Sequence, residues 1–388
     1  MRERRTSGAC ELGPIRPPSE STSLLIRVTR NCPWNRCLFC PVYKEKRFEK
    51  RSDTEIIAEI DLLAEALERL RDRTAIAKDQ CTLSEKMFTA VVHDPATSYE
   101  ERRIALWMLR GGRHVFLQDA DSLIRPAKMV AKVISHIKRR FPSVSRITTY
   151  ARSRTLAVKT EAALALLRDA GLTRIHVGLE SGSDRVLAMV EKGCRADHHI
   201  AGIRKAIDAG FEVCCYVMPG LGGRSLSAEH AAETAQVLRA INPRHIRLRT
   251  MFLSEEMPLY EKVRSGELTL MEEAETVAEI RTLVRGLKGL GGEVVSDHDH
   301  NLLMNINGHL TRDADALEAA LNQFLDLPAP TRDAFVVARR TGRLRSLAAF
   351  LKDPAVETEM APLVASLKQA GNGSLLKGMS ERFSPRLF

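Results

Sequence analysis

Apolar residues along the chain alternate between short β-type runs and longer stretches at helical spacing. A run at 24–29 is followed by a helical pattern at 53–71, for which Ser52 or Asp53 can serve as the N-cap. Two helices separated by 93–95 are predicted within 75–110. Beyond this stretch, strands are predicted at 114–117, 146–150, 173–179, 211–218, 245–252 and 292–296, with helices at 123–140, 154–170, 227–241 and 271–288.

Strands that alternate with helices in this way predict right-handed βαβ units and a parallel sheet. The pattern indicates an α/β fold, namely a partial (βα)6-type parallel barrel, with an open doubly wound sheet as the alternative. In either fold the chemistry lies at the carboxyl ends of the strands. We expect an irregular leader at 1–22, a core at 23–300 with a helical insertion at 75–110, and a helical, basic extension at 301–388.

The composition narrows the class of protein. The chain has 388 residues, of which 44% are hydrophobic and 28% charged, values ordinary for a globular protein. No apolar run approaches the roughly 20 residues that a membrane helix needs, and the start lacks a signal-peptide pattern, so we expect a cytoplasmic protein without a membrane partner. The formal net charge of +10 favours a phosphate-bearing or acidic partner.

Three of the eight cysteines lie close together. Cys32, Cys37 and Cys40 follow the first predicted strand directly, in a polar loop. Three thiolates on one short loop can bind three irons of a [4Fe–4S] cluster and leave the fourth iron open. The alternatives are buried structural thiols, or a zinc site whose fourth ligand would have to come from Cys81 or His93.

Two segments resemble the radical S-adenosylmethionine (SAM) superfamily. The loop ends in Cys-x-x-Cys with an aromatic residue, Phe39, before the last cysteine, although its spacing is C-x4-C-x2-C and the superfamily's usual spacing is C-x3-C-x2-C. The run HVGLESGSDRVL at 176–187, followed by Lys192-Gly193, is similar to a run in the branch that contains the methylthiotransferases and the Elongator catalytic subunit. The resemblance covers about residues 22–300.

The resemblance implies a cofactor pair, a [4Fe–4S] cluster on the three cysteines and SAM. Gln118, Asp119 and Ala120 occupy the place of a turn whose backbone meets the SAM amino group. Other residues that the resemblance or their strand-end position suggests for SAM contacts are Tyr150, Arg152, Glu180, Ser181, Lys192, Met218, Pro219 and Gly220.

Two further places are candidates at later strand ends. Arg247 and Arg249 alternate on one predicted strand, and we expect Arg249 to face the barrel interior and contact SAM or an anionic substrate. The segment 296–301, Ser-Asp-His-Asp-His-Asn, follows the last strand, and its position suggests a substrate-facing role for His298 next to Asp297, with a plain polar turn as the alternative.

The function implied is that of a radical SAM enzyme. Such an enzyme takes one electron from an external donor of the flavodoxin or ferredoxin type and cleaves SAM to a 5′-deoxyadenosyl radical, which abstracts a substrate hydrogen. The basic charge favours a nucleic acid such as tRNA, whereas an aromatic content of 5% offers little for base stacking and leaves a small molecule or peptide open. The alternative from another class is a non-catalytic iron–sulfur or zinc protein with a carrier, haem-handling or structural role.

Overall fold

The structure, a computed structural model, describes residues 10–74, 77 and 80–382. Its strands are β1 Leu24–Arg27, β2 Thr29–Arg30, β3 Glu49–Lys50, β4 His114–Gln118, β5 Arg146–Ala151, β6 Leu172–Glu180, β7 Glu212–Val217, β8 His245–Leu248, β9 Glu293–Val295 and β10 Gly308–His309. The predicted leader begins, and the predicted insertion partly lies, outside the described residues.

Helices follow most of the strands. They are α1 Asp53–Thr74, α2 Glu85–His93, α3 Tyr99–Leu109, α4 Ala127–Arg140, α5 Ser153–Val158, α6 Glu161–Ala170, α7 Asp184–Met189, α8 Ala196–Asp208, α9 Gly223–Ile241, α10 Leu259–Arg264, α11 Glu273–Leu287, α12 Ala314–Leu325, α13 Ala329–Arg340, α14 Leu347–Leu351, α15 Ala355–Ala370 and α16 Leu375–Arg382. Short 3-10 turns lie at Pro18–Glu20 and Ser122–Ile124. None of these described helices is both long and apolar enough to cross a membrane.

The chain divides into two compact units. The first comprises the chain up to Asn35, Val42–Val177 and Arg204–Val213, and the second comprises Arg36–Pro41, Gly178–Ile203 and the chain from Cys214 onward. In the first unit, β1, β4, β5 and β6 pair in parallel in that order. In the second unit, β7, β8 and β9 pair in parallel and β10 adds an antiparallel strand. The α/β class with a mostly parallel sheet is confirmed.

Amphipathic helices bury the faces of both units. In α1 the residues at helical spacing are buried, and the helix packs on α3, α4 and β1. Ser52 caps α1, because its hydroxyl accepts the backbone N–H of Glu55 at 3.1 Å while the Glu55 carboxylate accepts the N–H of Ser52 at 2.8 Å. In the second unit, α11 packs between α9 and α12, and α15 packs on α13 and α16. Between 314 and 382 the described chain is mainly helical, as predicted for the extension, whose last residues, 383–388, lie outside the described residues.

Two predicted elements have different limits, and each difference has a local cause. The predicted helix 154–170 is broken into α5 and α6, because Thr160 takes an extended conformation and its side chain caps α6 at the N–H of Ala163, 3.2 Å away. The predicted strand 245–252 ends at Leu248. Beyond it the side chain of Asn301 accepts the N–H of Thr250 and donates to the carbonyl of Leu248, each at 2.8 Å. These hydrogen bonds replace those that a neighbouring strand would make.

Candidate functional site

The cysteine loop begins and ends in the first unit, where a small ribbon closes it. The strands β2 and β3 pair antiparallel, with Thr29 opposite Lys50 and Arg30 opposite Glu49. The ribbon brings together the chain just before Cys32 and the chain after the loop. Within the loop the backbone N–H of Asn35 points at the Cys32 sulfur, 3.4 Å away, and the Asn35 side-chain amide donates to the carbonyl of Tyr43.

The carboxylate of Asp119, at the end of β4, holds both ends of this loop. Its side chain is wholly buried and accepts the backbone N–H of Asn31 at 2.9 Å and the hydroxyl of Tyr43. The guanidinium of Arg27 lies against it as a buried ion pair at 2.9 Å. Burial raises the pKa of Tyr43, and the charges of Asp119 and Cys32 raise it further, so the phenol stays protonated and donates. The loop that carries the cysteines is therefore anchored to the sheet.

Other residues predicted at this edge have partners within the first unit. The Gln118 carboxamide is taken up by the leader, since it donates to the carbonyls of Gly13 and Ile15 and accepts the N–H of Gly13, all at 2.9 Å. The N–H of Ala120 donates to the Asp119 carboxylate at 3.0 Å.

The two predicted residues on β5 and just after it contact aromatic rings. Tyr150 makes edge contacts with the rings of Phe116 and His176. The guanidinium of Arg152 lies 5.0 Å from the ring centre of Trp34, a residue of the cysteine loop.

Sequence reasoning missed Asp121, which lies just past β4. Its carboxyl group is fully buried, and its Oδ2 accepts the hydroxyl of Thr155 at 2.5 Å while Oδ1 has no hydrogen-bond partner among the described residues. Burial raises the pKa of Asp121 to about 6, against the opposing effect of Thr155 and of the charge on Arg152. A buried acceptor oxygen without a donor suits a ligand that brings an N–H or O–H group.

The middle of the cysteine loop belongs to the second unit. Leu38 donates its N–H to the carbonyl of Val190 and accepts the N–H of Leu259, both at 3.0 Å, and its side chain and that of Phe39 pack on an apolar cluster formed mainly by α7, α10 and their neighbours. Cys37 and Cys40 are joined by a turn in which the N–H of Cys40 donates to the carbonyl of Cys37 at 3.3 Å. Both thiols are half-exposed.

Glu180 and Lys192 form an ion pair at the end of β6. The Lys192 ammonium lies 3.0 Å from Glu180 Oε1 and 5.6 Å from the ring centre of Phe39. Burial alone would lower the pKa of Lys192, but the charges of Glu180 and Cys37 outweigh it and raise the pKa. The missing side chain of Gly178 makes room for the pair, because a Cβ there would lie 2.3 Å from Glu180 Oε1. Lys192 thus carries a positive charge beside both Glu180 and Cys37.

A buried polar network joins the turns after β6 and β7. The Ser181 hydroxyl donates to His230 Nδ1 at 2.8 Å, and His230 Nε2 donates to the carbonyl of Met218 at 3.1 Å. This fixes the tautomer of His230, whose pKa burial lowers. The N–H of Gly220 donates to Glu279 at 2.7 Å. His230 lies on α9 and Glu279 on α11, and neither belongs to a sequence motif.

The chain after β8 runs beside the turn at Pro219. The N–H of Arg249 donates to the carbonyl of Val217 at 2.9 Å and that of Met251 to the carbonyl of Pro219 at 2.8 Å. Arg249 therefore lies just beyond β8, and its side chain is exposed. Arg247, on the strand itself, pairs with Asp297 at 2.5 Å.

The donor groups of each unit, taken separately, suit an iron–sulfur cluster or SAM by their chemistry. The three loop cysteines are half-exposed thiols, none of them in the core. Asp121 offers an unpartnered buried acceptor, and the pair of Glu180 and Lys192 offers both signs of charge to an amino acid's amino and carboxylate groups. Among the described residues, no three His, Cys, Asp or Glu side chains are gathered around a single metal-ion position.

The strand-end residues lie in a part of the chain that matches a known family. Residues 81–236 match the family model of the radical SAM superfamily. The matched segment, less than half of the chain, carries a radical SAM domain. Because this superfamily uses a [4Fe–4S] cluster and SAM, the predicted pair of cofactors is confirmed at the level of the superfamily.

The matched range contains the predicted residues at the ends of β4 to β7, together with Lys192. The three cysteines precede the range and Arg249 follows it. The role of each residue stays a prediction.

Several solved structures are similar to this chain, and three of them serve as examples. Archaeal Elp3 from Methanocaldococcus infernus is 14% identical with a TM-score of 0.41, covering 55% of this chain and 53% of its own. Coproporphyrinogen III oxidase from Escherichia coli is 16% identical (TM-score 0.43; 69% and 52%), and the methyltransferase TsrM from Kitasatospora setae is 14% identical (0.43; 62% and 38%). This chain thus spans about half the length of the first two. No curated protein matches it.

Proposed function

We propose that this chain is an enzyme that cleaves SAM reductively and uses the 5′-deoxyadenosyl radical to abstract a hydrogen atom from its substrate. The [4Fe–4S] cluster would be held by Cys32, Cys37 and Cys40, and the electron would come from an external donor of the flavodoxin or ferredoxin type. The cytoplasm is the expected location.

One observation carries this proposal. Asp119 lies inside the range that matches the superfamily, and its buried carboxylate binds the backbone of Asn31 and the hydroxyl of Tyr43, which flank the cysteines outside that range. The matched range is thereby linked by direct contacts to the residues that flank the three cysteines. A set of unrelated structural thiols would not need such an anchor.

The residues around the thiols have definite tasks in this proposal. When bound, the cluster supplies the electron that cleaves SAM. Lys192 stabilises the thiolate form of Cys37 by its charge, because a thiolate and not a thiol binds iron. In the second unit, Glu180 would accept a hydrogen bond from the amino or ribose groups of SAM, and Lys192 would pair with its carboxylate. In the first unit, Asp121 would be an acceptor for an N–H or O–H group of a ligand.

Other residues orient this site and hold water away. Ser181, His230 and Glu279 fix the turns at Met218 and Gly220 against α9 and α11, so that the backbone proposed to contact SAM is rigid. The apolar cluster under Leu38 and Phe39 excludes water from one side of the cysteine loop.

Reconstitution tests the proposal. Anaerobic loading with iron and sulfide should give about four irons per chain, and the loaded wild type should release 5′-deoxyadenosine from SAM and reductant. Cys37→Ala should lose the cluster and the cleavage together. Cys81→Ala removes a half-exposed cysteine outside the loop and should keep both.

Two results would contradict the proposal. Zinc bound in place of iron, with Cys81→Ala losing it, would favour the structural metal site. An intact cluster in the wild type without 5′-deoxyadenosine would favour the non-catalytic iron–sulfur protein.

Two substrate classes fit the proposed chemistry, namely a nucleic acid such as tRNA and a small molecule or peptide.

A further inference from the structure

The turn at 296–301 is held rigidly beside the end of β8. The side chain of Asn301 is buried and makes four hydrogen bonds, to the N–H and hydroxyl of Thr250, the carbonyl of Leu248 and the hydroxyl of Ser296, at 2.8 to 3.0 Å. Since the chain after β8 also bonds to Val217 and Pro219, this turn adjoins the β7 turn proposed for SAM. The turn is therefore a fixed part of the second unit's strand-end edge.

Two imidazoles of this turn present hydrogen-bond donors. His298 Nδ1 accepts the N–H of His300 at 3.2 Å, so the proton of neutral His298 resides on Nε2. The two rings lie 4.6 Å apart, and the ring of His300 lies 4.7 Å from that of Phe252. Burial lowers the pKa of His298 to about 4 and that of His300 to about 3, and the charge of Arg249 lowers both further. Both rings are thus uncharged at neutral pH.

Arginines surround the same turn. Arg249 is exposed and has no ion pair among the residues that the structure describes. Arg340, at the end of α13, donates to the carbonyl of His300 at 2.9 Å and pairs with Glu273. Burial lowers the pKa of Arg339, and repulsion from Arg340 and Arg345 adds to it.

The carboxylates near the turn do not balance these arginines. Asp297 is engaged by Arg247, and Glu273 by Arg340. Asp299 is exposed, and it raises the pKa of His298 less than Arg249 lowers it. The exposed guanidinium of Arg249 therefore has no carboxylate partner in the part of the chain that the structure describes, and it lies beside two uncharged imidazole rings whose N–H groups can donate hydrogen bonds.

We infer that Arg249, His298 and His300 form an anion subsite that binds one carboxylate or phosphate group of a small substrate. The inference rests on the proposed function, because the subsite adjoins the turn proposed for SAM and so holds the substrate beside it. A planar guanidinium binds either anion bidentately, and a neutral imidazole N–H adds a hydrogen bond. Nucleic acid is bound differently, through many basic side chains that each neutralise a phosphate, whereas the two imidazoles of this turn are uncharged and Arg249 is the cation that acts on both.

Histidine NMR of the full chain measures binding at the turn directly. Inorganic phosphate and acetate are the two probes, added separately to ring-labelled protein at neutral pH, with the signals assigned from His298→Gln and His300→Gln. At least one of the two anions should shift the His298 and His300 signals in a saturable way. A shift with phosphate indicates a phosphate group, and a shift with acetate indicates a carboxylate. Arg249→Gln should weaken this binding about tenfold, the usual size for one charged hydrogen-bond partner. Arg264→Gln, which removes an exposed arginine paired with Glu261 on α10, should bind as the wild type does.

Three outcomes would overturn the subsite. They are no saturable shift with either anion, unchanged binding in Arg249→Gln, or tRNA binding that depends on Arg249 and falls with salt as expected for many phosphates. The release of 5′-deoxyadenosine by the same wild-type preparation reports on the proposed function separately. Anion binding without cleavage would reject the enzyme and keep the subsite, and cleavage without anion binding would do the reverse.

Discussion

The Asp119 carboxylate accepts hydrogen bonds from Arg27, Asn31 and Tyr43, which precede it by 76 to 92 residues. The resemblance to the radical SAM superfamily implies a turn at this position, and its contact with SAM stays a prediction. It does not indicate that the side chain is buried, because an aspartate after a strand is usually exposed. The buried position requires three partners that only the folded chain brings together.

Asp119→Asn tests this anchor. The substitution keeps the volume but removes the negative charge that faces Arg27, and a buried ion pair broken on one side costs about 3–5 kcal/mol. We expect the iron content after reconstitution to fall well below that of the wild type. In the cluster-free chain, alkylation of Cys32 should become faster, since the loop loses its anchor at Asn31.

An exposed aspartate provides the comparison. Asp315→Asn removes a surface partner of Lys288 and should leave both iron content and the alkylation rate as in the wild type. Unchanged alkylation of Cys32 in Asp119→Asn would show that the carboxylate does not restrain the loop.

At the scale of the elements, Gly182 sets how closely the turn after β6 approaches α9. A Cβ at this position would lie 2.4 Å from the carbonyl oxygen of Glu233 and 2.5 Å from Cα of Thr234, both backbone atoms of the helix. Gly182→Ala should therefore displace α9 and lower the free energy of unfolding by about 1–3 kcal/mol. Thermal or urea unfolding measures the loss.

Gly291→Ala is the matched control for this change. Gly291 is exposed, and a Cβ there would come no closer than 3.4 Å to the side chain of Asn242. Its unfolding should stay within about 0.5 kcal/mol of the wild type. If Gly182→Ala and Gly291→Ala were equally stable, α9 would be able to move away from the added Cβ without a measurable cost in free energy of unfolding.

Most elements could be predicted because their signals are local. The apolar spacing of α1, the cap at Ser52 and the run of β4 are properties of neighbouring residues. The end of β8 could not be predicted, because it depends on Asn301, more than 50 residues away. The candidate site is also only partly predictable. The cysteines and the run at 176–187 are recognisable in the sequence, whereas His230, Glu279 and Asp121 belong to no sequence motif and contribute through contacts that form only in the folded chain.

At the scale of the whole molecule, carboxyl groups with opposite shifts shape the dependence of stability on pH. Burial opposes ionisation of Glu20, but hydrogen bonds from His176 and Ser23 and the charge of Arg146 lower its pKa, so its contribution to stability is present at neutral pH and is lost as the pH falls. Asp121 acts in the opposite direction. The folded chain keeps its proton up to about pH 6, whereas the unfolded chain loses it near 3.8.

Asp121→Asn isolates this contribution. The stability that neutral Asp121 provides is fully present below about pH 4 and is lost as the pH rises through 6. The free energy of unfolding of the wild type, relative to Asp121→Asn, should therefore fall by roughly 3 kcal/mol between pH 4 and 7. Urea unfolding at a series of pH values measures the difference. A difference that rises with pH, or a flat one, would be inconsistent with a raised pKa.

The strand β10 has a practical consequence for concentrated solutions. It is only two residues long, and the N–H of His309 already donates to the Asp313 carboxylate at 2.8 Å. A long strand with unpaired N–H groups at the border of a sheet recruits strands from other molecules and starts aggregation. This border offers almost no such template, so the protein should tolerate the high concentrations and long incubations that cluster loading demands.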